Sequence, residues 1–285
     1  MSVPRELFVS AAMAVALTAI ASTANAGITT GWVNNATAGP PIIQEFDLSN
    51  GNVLKEFTAP NGYNGRGIVQ VGDIVYYTSA STNGVYAYNF VTNTDLGTVF
   101  TIPGTSGLAT MAYDGSNFYI GDYSGTNHVY KYSPTGTLLT TLTLANCNGY
   151  CDGLEYANGK LISNRDDGGS IYDVYDLSGN LLQSAFITSP LTSTGIAFDG
   201  TNYYTDNVYN SSFNVFDGSG TFIKTISFNG GTYHLGEDLS VNYAARGDTG
   251  GVPEPATWAL MLAGFGAMGL MLRRDRRLTA APALT

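Results

Sequence analysis

The side chains able to do chemistry in this chain are a set of carboxylates and amides, two histidines and two cysteines. The first group includes Asp122, Asp152, Asn164, Asp206, Glu237 and Asp238. Oxygen donors of this kind, gathered at one point, suit a hard cation such as Ca²⁺. His128 and His234 could act as general bases, and His234 lies close in sequence to Glu237 and Asp238. No G-x-S-x-G or comparable nucleophile motif accompanies them. Cys147 and Cys151 are the only cysteines and bracket a short loop beside Asp152. In an oxidising compartment they would pair, contributing at most about 2 kcal/mol for so small a ring. Zinc would need two further ligands nearby, and redox pairs are more commonly spaced C-x-x-C. A plainer reading stands beside each of these. Asp and Asn at strand ends usually satisfy turn backbone groups, and a loop histidine is usually solvated.

What positions these residues is a repeat of roughly 43 residues. An apolar position recurs at Ile68, Met111, Leu154, Ile196 and Leu239, and an aromatic one at Phe46, Tyr88, Tyr132, Tyr175 and Phe216. A period of about 40 to 45 residues is that of a propeller blade of four strands. The copy at 195–226 shows the unit: strand A at 195–198, B at 203–205, C at 213–216, the turn Asp217-Gly218-Ser219-Gly220, and D at 222–226. Runs rich in Tyr, Val, Ile and Thr between such turns predict an all-β domain with little helix. The first copy has B-, C- and D-like strands at 28–33, 42–47 and 53–57 but no A, and the last has only an A-like strand at 237–243. Joined, they complete one blade, giving a β-propeller of about five four-stranded blades closed by a strand swap.

In that register the B-strand ends carry Asn35, Ser79, Asp122, Asn164 and Asp206, and the A-strand starts carry Arg66, Asp152, Glu237 and Asp238. All would meet at the channel mouth, and the two histidines fall in segments of that face. The run Arg165-Asp166-Asp167-Gly168-Gly169 is its most charged loop, too short for an EF-hand. Tyr76, Tyr77, Tyr203 and Tyr204 could stack on sugar rings, although alternating positions within strands are more often blade-to-blade packing. The units at 107–142 and 194–226 are similar to NHL, SMP-30 and YncE-like propeller repeats, with a hydrophobic-Asp-Gly, an aromatic B strand and an aromatic-Asp-x-x-Gly turn. The SMP-30 likeness implies a cation held by a Glu, Asn and Asp set, hence Glu237, Asn164, Asp206 and Asp122, in a metal-dependent hydrolase, lactonase or lyase. No copy carries that family's complete local signature, and Ser79 interrupts the ring.

Both chain ends read as addresses. Residues 252–277 contain Pro253-Glu254-Pro255, an uncharged stretch from Ala256 to Leu272, then Arg273, Arg274, Arg276 and Arg277. Seventeen residues rising about 1.5 Å each reach about 25 Å, the short end of a bilayer span. The arginines favour a cytoplasmic C-terminus, and Trp258 suits the opposite interface. The whole resembles the PEP-CTERM sorting signal. That resemblance implies export from a Gram-negative cell, an inner-membrane-anchored precursor, and cleavage near the tripeptide by an exosortase-type enzyme. At the N-terminus, Arg5, the apolar run 7–21 and the small-x-small pair Ala24 and Ala26 read as a Sec signal peptide cut by signal peptidase after residue 26.

The expected organisation is therefore a signal peptide at 1–26, a propeller at 27–248, a sorting signal at 252–277 and a short tail at 278–285. Residues 27–252 hold seven basic and nineteen acidic side chains, a formal charge of −12, which argues against nucleic acid as a partner. The functional expectation is a non-enzymatic binding or structural module of the cell surface or extracellular matrix. Its plausible partner is an exopolysaccharide or a surface protein.

Overall fold

A computed structural model describes residues 27–36, 41–147, 149, 151–165, 170–231 and 235–246. Both address segments, and His234, Asp166 and Asp167, lie outside the described residues. Twenty strands form five four-stranded sheets. Blade II contains β4 (Gly65–Val71), β5 (Ile74–Ser79), β6 (Gly84–Asn89) and β7 (Thr94–Thr101). Blade III contains β8 (Leu108–Tyr113), β9 (Phe118–Asp122), β10 (His128–Tyr132) and β11 (Leu138–Thr143). Blade IV contains β12 (Leu154–Ala157), β13 (Lys160–Asn164), β14 (Ile171–Tyr175) and β15 (Leu181–Thr188). Blade V contains β16 (Ile196–Phe198), β17 (Tyr203–Asn207), β18 (Ser212–Phe216) and β19 (Phe222–Ser227).

Blade I is the swapped one. Its sheet runs β20 (Gly236–Val241), β1 (Thr30–Asn35), β2 (Ile42–Asp47), β3 (Val53–Thr58), with Val33 opposite Leu239. The ring therefore closes as its repeat predicts. Two boundaries differ from that expectation. The first B strand starts at Thr30, not residue 28, and the last strand stops at Val241, where Asn242 caps a 3₁₀ turn over Tyr243–Ala245.

The two repeat markers have distinct packing jobs. Ile68, Met111, Leu154, Ile196 and Leu239 lie on the inner strands and are at most 1% exposed. The aromatic marker packs against a neighbouring blade. Tyr88 stacks on Phe57 of blade I at 3.9 Å, Tyr132 on Phe100 of blade II at 5.3 Å, and Phe46 meets Phe228 at 5.0 Å across the seam. Tyr77, Tyr203 and Tyr204 are buried in the same layers, so they are packing residues. At the outer turns an aspartate accepts the N–H two residues on, as Asp217 does from Ser219, and Gly220 supplies the positive φ of 82°.

The position just before the apolar marker reads Gly67, Thr110, Gly153, Gly195 and Asp238. Here the inner strands crowd together. A Cβ on Gly67, Gly153 or Gly195 would fall less than 3.0 Å from backbone atoms of the next inner strand. Asp238 fills the space they leave. Its carboxylate accepts from Thr110 Oγ1 at 3.1 Å and from the N–H groups of Ile68 and Leu239 at 3.3 and 3.0 Å. One buried acid thus bridges three blades.

Five of the seven basic residues are ion-paired: Lys55–Glu45, Arg66–Glu237, Lys131–Asp114, Arg165–Asp173 and Arg246–Glu155. In blade IV, Arg165 grips Asp173 with two bonds of 2.7 Å, while Ala185 N–H and Asn146 Nδ2 donate to the same carboxylate. Ala185 adopts φ 51° to do so, and the β14–β15 register shifts there. Burial works against the charge of Asp173, but Arg165, Asn146 and Ala185 outweigh it and hold the pKa below the ordinary value. That linkage has a sign. The stabilisation is complete above the unfolded aspartate pKa of about 3.9 and is lost as pH falls through the lower, folded value. Asp173→Asn should cost about 3 kcal/mol at neutral pH. Urea titrations should show the gap from the parent protein constant above about pH 5 and shrinking in more acidic buffer. A pH-independent gap would disprove the account.

Candidate functional site

The D–A and B–C connections meet on one face and form a cavity of about 550 Å³. Its walls include Arg66 from β4, Glu237 from β20, Tyr123 just beyond β9, Asp152 ahead of β12, and Thr192 and Thr194 ahead of β16. Tyr209, 76% exposed, stands at the rim. Arg66 ties the wall together. Its guanidinium is ion-paired with Glu237, lies 4.6 Å from the centroid of the Tyr123 ring, and donates to the Tyr123 hydroxyl at 3.1 Å. Cys147 and Cys151 form a disulfide, both sulfurs buried, immediately before Asp152. The cross-link stiffens the connection that delivers this carboxylate.

Below the cavity the acids are sealed from water. Asp206 is fully buried and accepts from the Gly195 N–H at 2.8 Å, while its Oδ2 has no hydrogen-bond partner among the described residues. Burial, helped by the charge of Asp152, pushes its pKa up to about 7 against the pull of backbone donors. Burial also raises Glu237, as do Asp152 and Asp206, although Arg66 opposes them. Asp238 is raised well above its ordinary value, chiefly by burial. Protons near neutral pH are therefore held by the acid group as a whole.

The oxygen donors selected from sequence each have hydrogen-bond or ion-pair partners of their own. Asp122 accepts from Ser124 N–H, Thr126 Oγ1 and Tyr130 hydroxyl in its own B–C loop. Asn164 donates to the Ser193 carbonyl at 2.9 Å. Asn35 and Ser79 likewise serve neighbouring loops, bonding Ile42 and Tyr63 carbonyls. Asp206, beneath the cavity, and Glu237, in its wall, interact through their charges. Arg66 is ion-paired with Glu237, so a guanidinium rather than a metal cation neutralises that carboxylate here. Among the described residues no group of three His, Cys, Asp or Glu side chains is placed to hold a metal. His128 sits on β10, 6.0 Å from the Tyr130 ring centroid, in no acid–base pair with the mouth acids. Sequence reasoning missed Tyr123 and Thr194, and it placed Asp238 at the mouth without its role between the inner strands. Aligning the residue just before each apolar marker would have exposed that role.

Residues 251–277 match the PEP-CTERM protein-sorting motif. The chain is thus an exported protein, made as a membrane-anchored precursor and handled by an exosortase-type processing enzyme, with a five-bladed propeller as its body. The body is similar to the crystal structure of Myxococcus xanthus glutaminyl cyclase, with TM-score 0.52 and 16% identity over 61% of this chain and 75% of that one. It is also similar to a chain of the nidogen/laminin complex, with TM-score 0.51 and 13% identity over 75% and 99%. At such identities the likeness shows the fold alone. No curated protein matches the sequence.

Proposed function

We propose that this protein is a binding propeller of the cell surface or extracellular matrix, its mouth cavity taking a hydroxyl-rich, ring-shaped ligand of the saccharide class. The observation carrying this reading is Tyr209, an exposed aromatic ring at the rim of a cavity walled by Asp152, Thr192, Thr194 and the fixed Arg66–Glu237 pair. Aromatic faces take the apolar side of a sugar ring, and a few converging polar groups read its hydroxyls. The pairing of Arg66 leaves a preorganised wall rather than a free base. The exported body would begin at Gly27.

Glycan-array screening of the exported protein, then calorimetry on the best ligand, tests the reading. Tyr209→Ala and Asp152→Asn should each weaken binding about tenfold, the size of one good contact at about 1.4 kcal/mol. An array without binders, or binding indifferent to both changes, sinks it. Deleting residues 253–277 should release the protein into the medium, whereas unchanged distribution and mature mass would contradict the sorting role.

One observation favours a second reading. Burial raises the Asp206 pKa to about 7, the range of a general acid, and Asp206 lies behind the Glu237 wall of the cavity, with which it interacts electrostatically. A metal-independent hydrolase would turn over a lactone or glycoside in a panel and lose that turnover in Asp206→Asn. No turnover by the parent protein removes this reading.

A further inference from the structure

The segment after β20 does not leave the ring at its edge; it crosses the channel on the face opposite the mouth. Asn242 pairs with Gln70 of β4 and accepts from Gly72 N–H at 3.0 Å. Tyr243 is buried, edge-on to Tyr113 at the end of β8, and donates to Glu155 of β12 at 2.6 Å. Arg246, its side chain entirely buried, donates to Glu155 at 2.7 Å, to the Phe198 carbonyl at 2.8 Å and to the Tyr156 carbonyl. Those partners belong to blades II to V. The chain is thus pinned on the ring axis, at the base, five residues before residues matched by the sorting motif begin.

We infer that this plug fixes the orientation of the membrane-anchored precursor: the base lies toward the bilayer that holds the tail, and the mouth cannot be turned to it. Reach decides the matter. From Arg246 to Ala256, where the apolar stretch starts, is ten residues, at most about 35 Å of extended chain. To bring the mouth down, the tail would have to run from the axis to the rim and then along the height of a blade. Three spacings of about 4.8 Å between four strands and a six-residue strand at about 3.3 Å per residue make that path about 34 Å, which consumes the whole extended reach and leaves none for clearance from the lipid. The acidic outer turns of the base, including Asp47, Asp176 and Asp217, keep it from adhering to anionic headgroups, so the spacer holds the body close without embedding it. The inference rests on the membrane-spanning reading of the tail and is independent of what the mouth binds.

The test uses the exported chain, residues 27–285, in vesicles of phosphatidylethanolamine and phosphatidylglycerol carrying a headgroup-level acceptor dye. With both native cysteines in the disulfide, a single donor dye can be placed at Ser178→Cys on the base or Ser81→Cys on the mouth. Energy transfer from the base label should exceed that from the mouth label at least about twofold, because a strand length of about 20 Å separates the two faces. A long Gly-Ser spacer inserted after Arg246 should erase most of the difference while folding and flotation persist. Equal or stronger transfer from the mouth label overturns the orientation. Loss of vesicle flotation by the parent chain overturns the tail reading and the inference with it.

Discussion

Replacing Arg246 by alanine is expected to destabilise the propeller by about 3–5 kcal/mol, the cost of stranding one member of a buried ion pair. The guanidinium is the only base bonded to Glu155 among the described residues, and both side chains are fully buried. Its removal also deprives the Phe198 and Tyr156 carbonyls of a donor. For a domain of this size each kcal/mol moves the thermal midpoint by about 2–4 °C, so a drop of about 10 °C should appear by calorimetry. Arg246→Lys keeps a positive charge but cannot reach Glu155 and two carbonyls in one plane, and should fall between. Pairing Arg246→Met with Glu155→Gln should recover part of the loss, since the penalty lies in a buried negative charge left without its countercharge. Additive losses in that double variant would show that the two residues do not act together.

The second large effect is expected at Gly153. A Cβ there would run into the carbonyl oxygen and carbon of Thr194, in the segment that leads into the adjoining inner strand β16. Backbone cannot rotate away as a side chain can, so Gly153→Ala must push β12 and β16 apart or twist one of them. Overpacking a core costs about 1–3 kcal/mol when side chains can yield, and here about 3 kcal/mol or more is expected. Gly218→Ala is the control. It lies in an outer turn where the added Cβ would meet only Thr201 O at 3.2 Å, and should cost less than about 1 kcal/mol. Similar losses at the two glycines, measured by urea unfolding, would refute the crowded-axis account.

The architecture was readable because its causes are local and periodic. Leu154 and Tyr132 repeat as they do since every blade must bury the same two faces, and the missing first A strand and lone last one announce the swap. The cysteine pairing followed from their closeness in sequence. The site was less legible. Asp122 and Asp206 occupy equivalent B-strand ends, yet one turns into its own loop and the other sinks under the cavity. Nothing in the spacing distinguishes them, because the outcome depends on which neighbouring loop offers donors. The Arg66–Glu237 contact joins residues 171 positions apart, from adjacent inner strands of blades II and I. The plug was hidden for a related reason. The alternation of 237–243 reads as strand to its end, and only the cap at Asn242 and the waiting Glu155 turn Tyr243 inward.

The swapped closure bears on how the protein is made. Its final strand ends at Val241, ten positions short of the motif-matched segment. During translocation the first three strands of blade I therefore wait, one sheet edge unsatisfied, until nearly the whole polypeptide has crossed. A product cut off early in translation can neither finish the wheel nor carry an address label. Completeness and delivery are thus written into neighbouring stretches at the end of the chain.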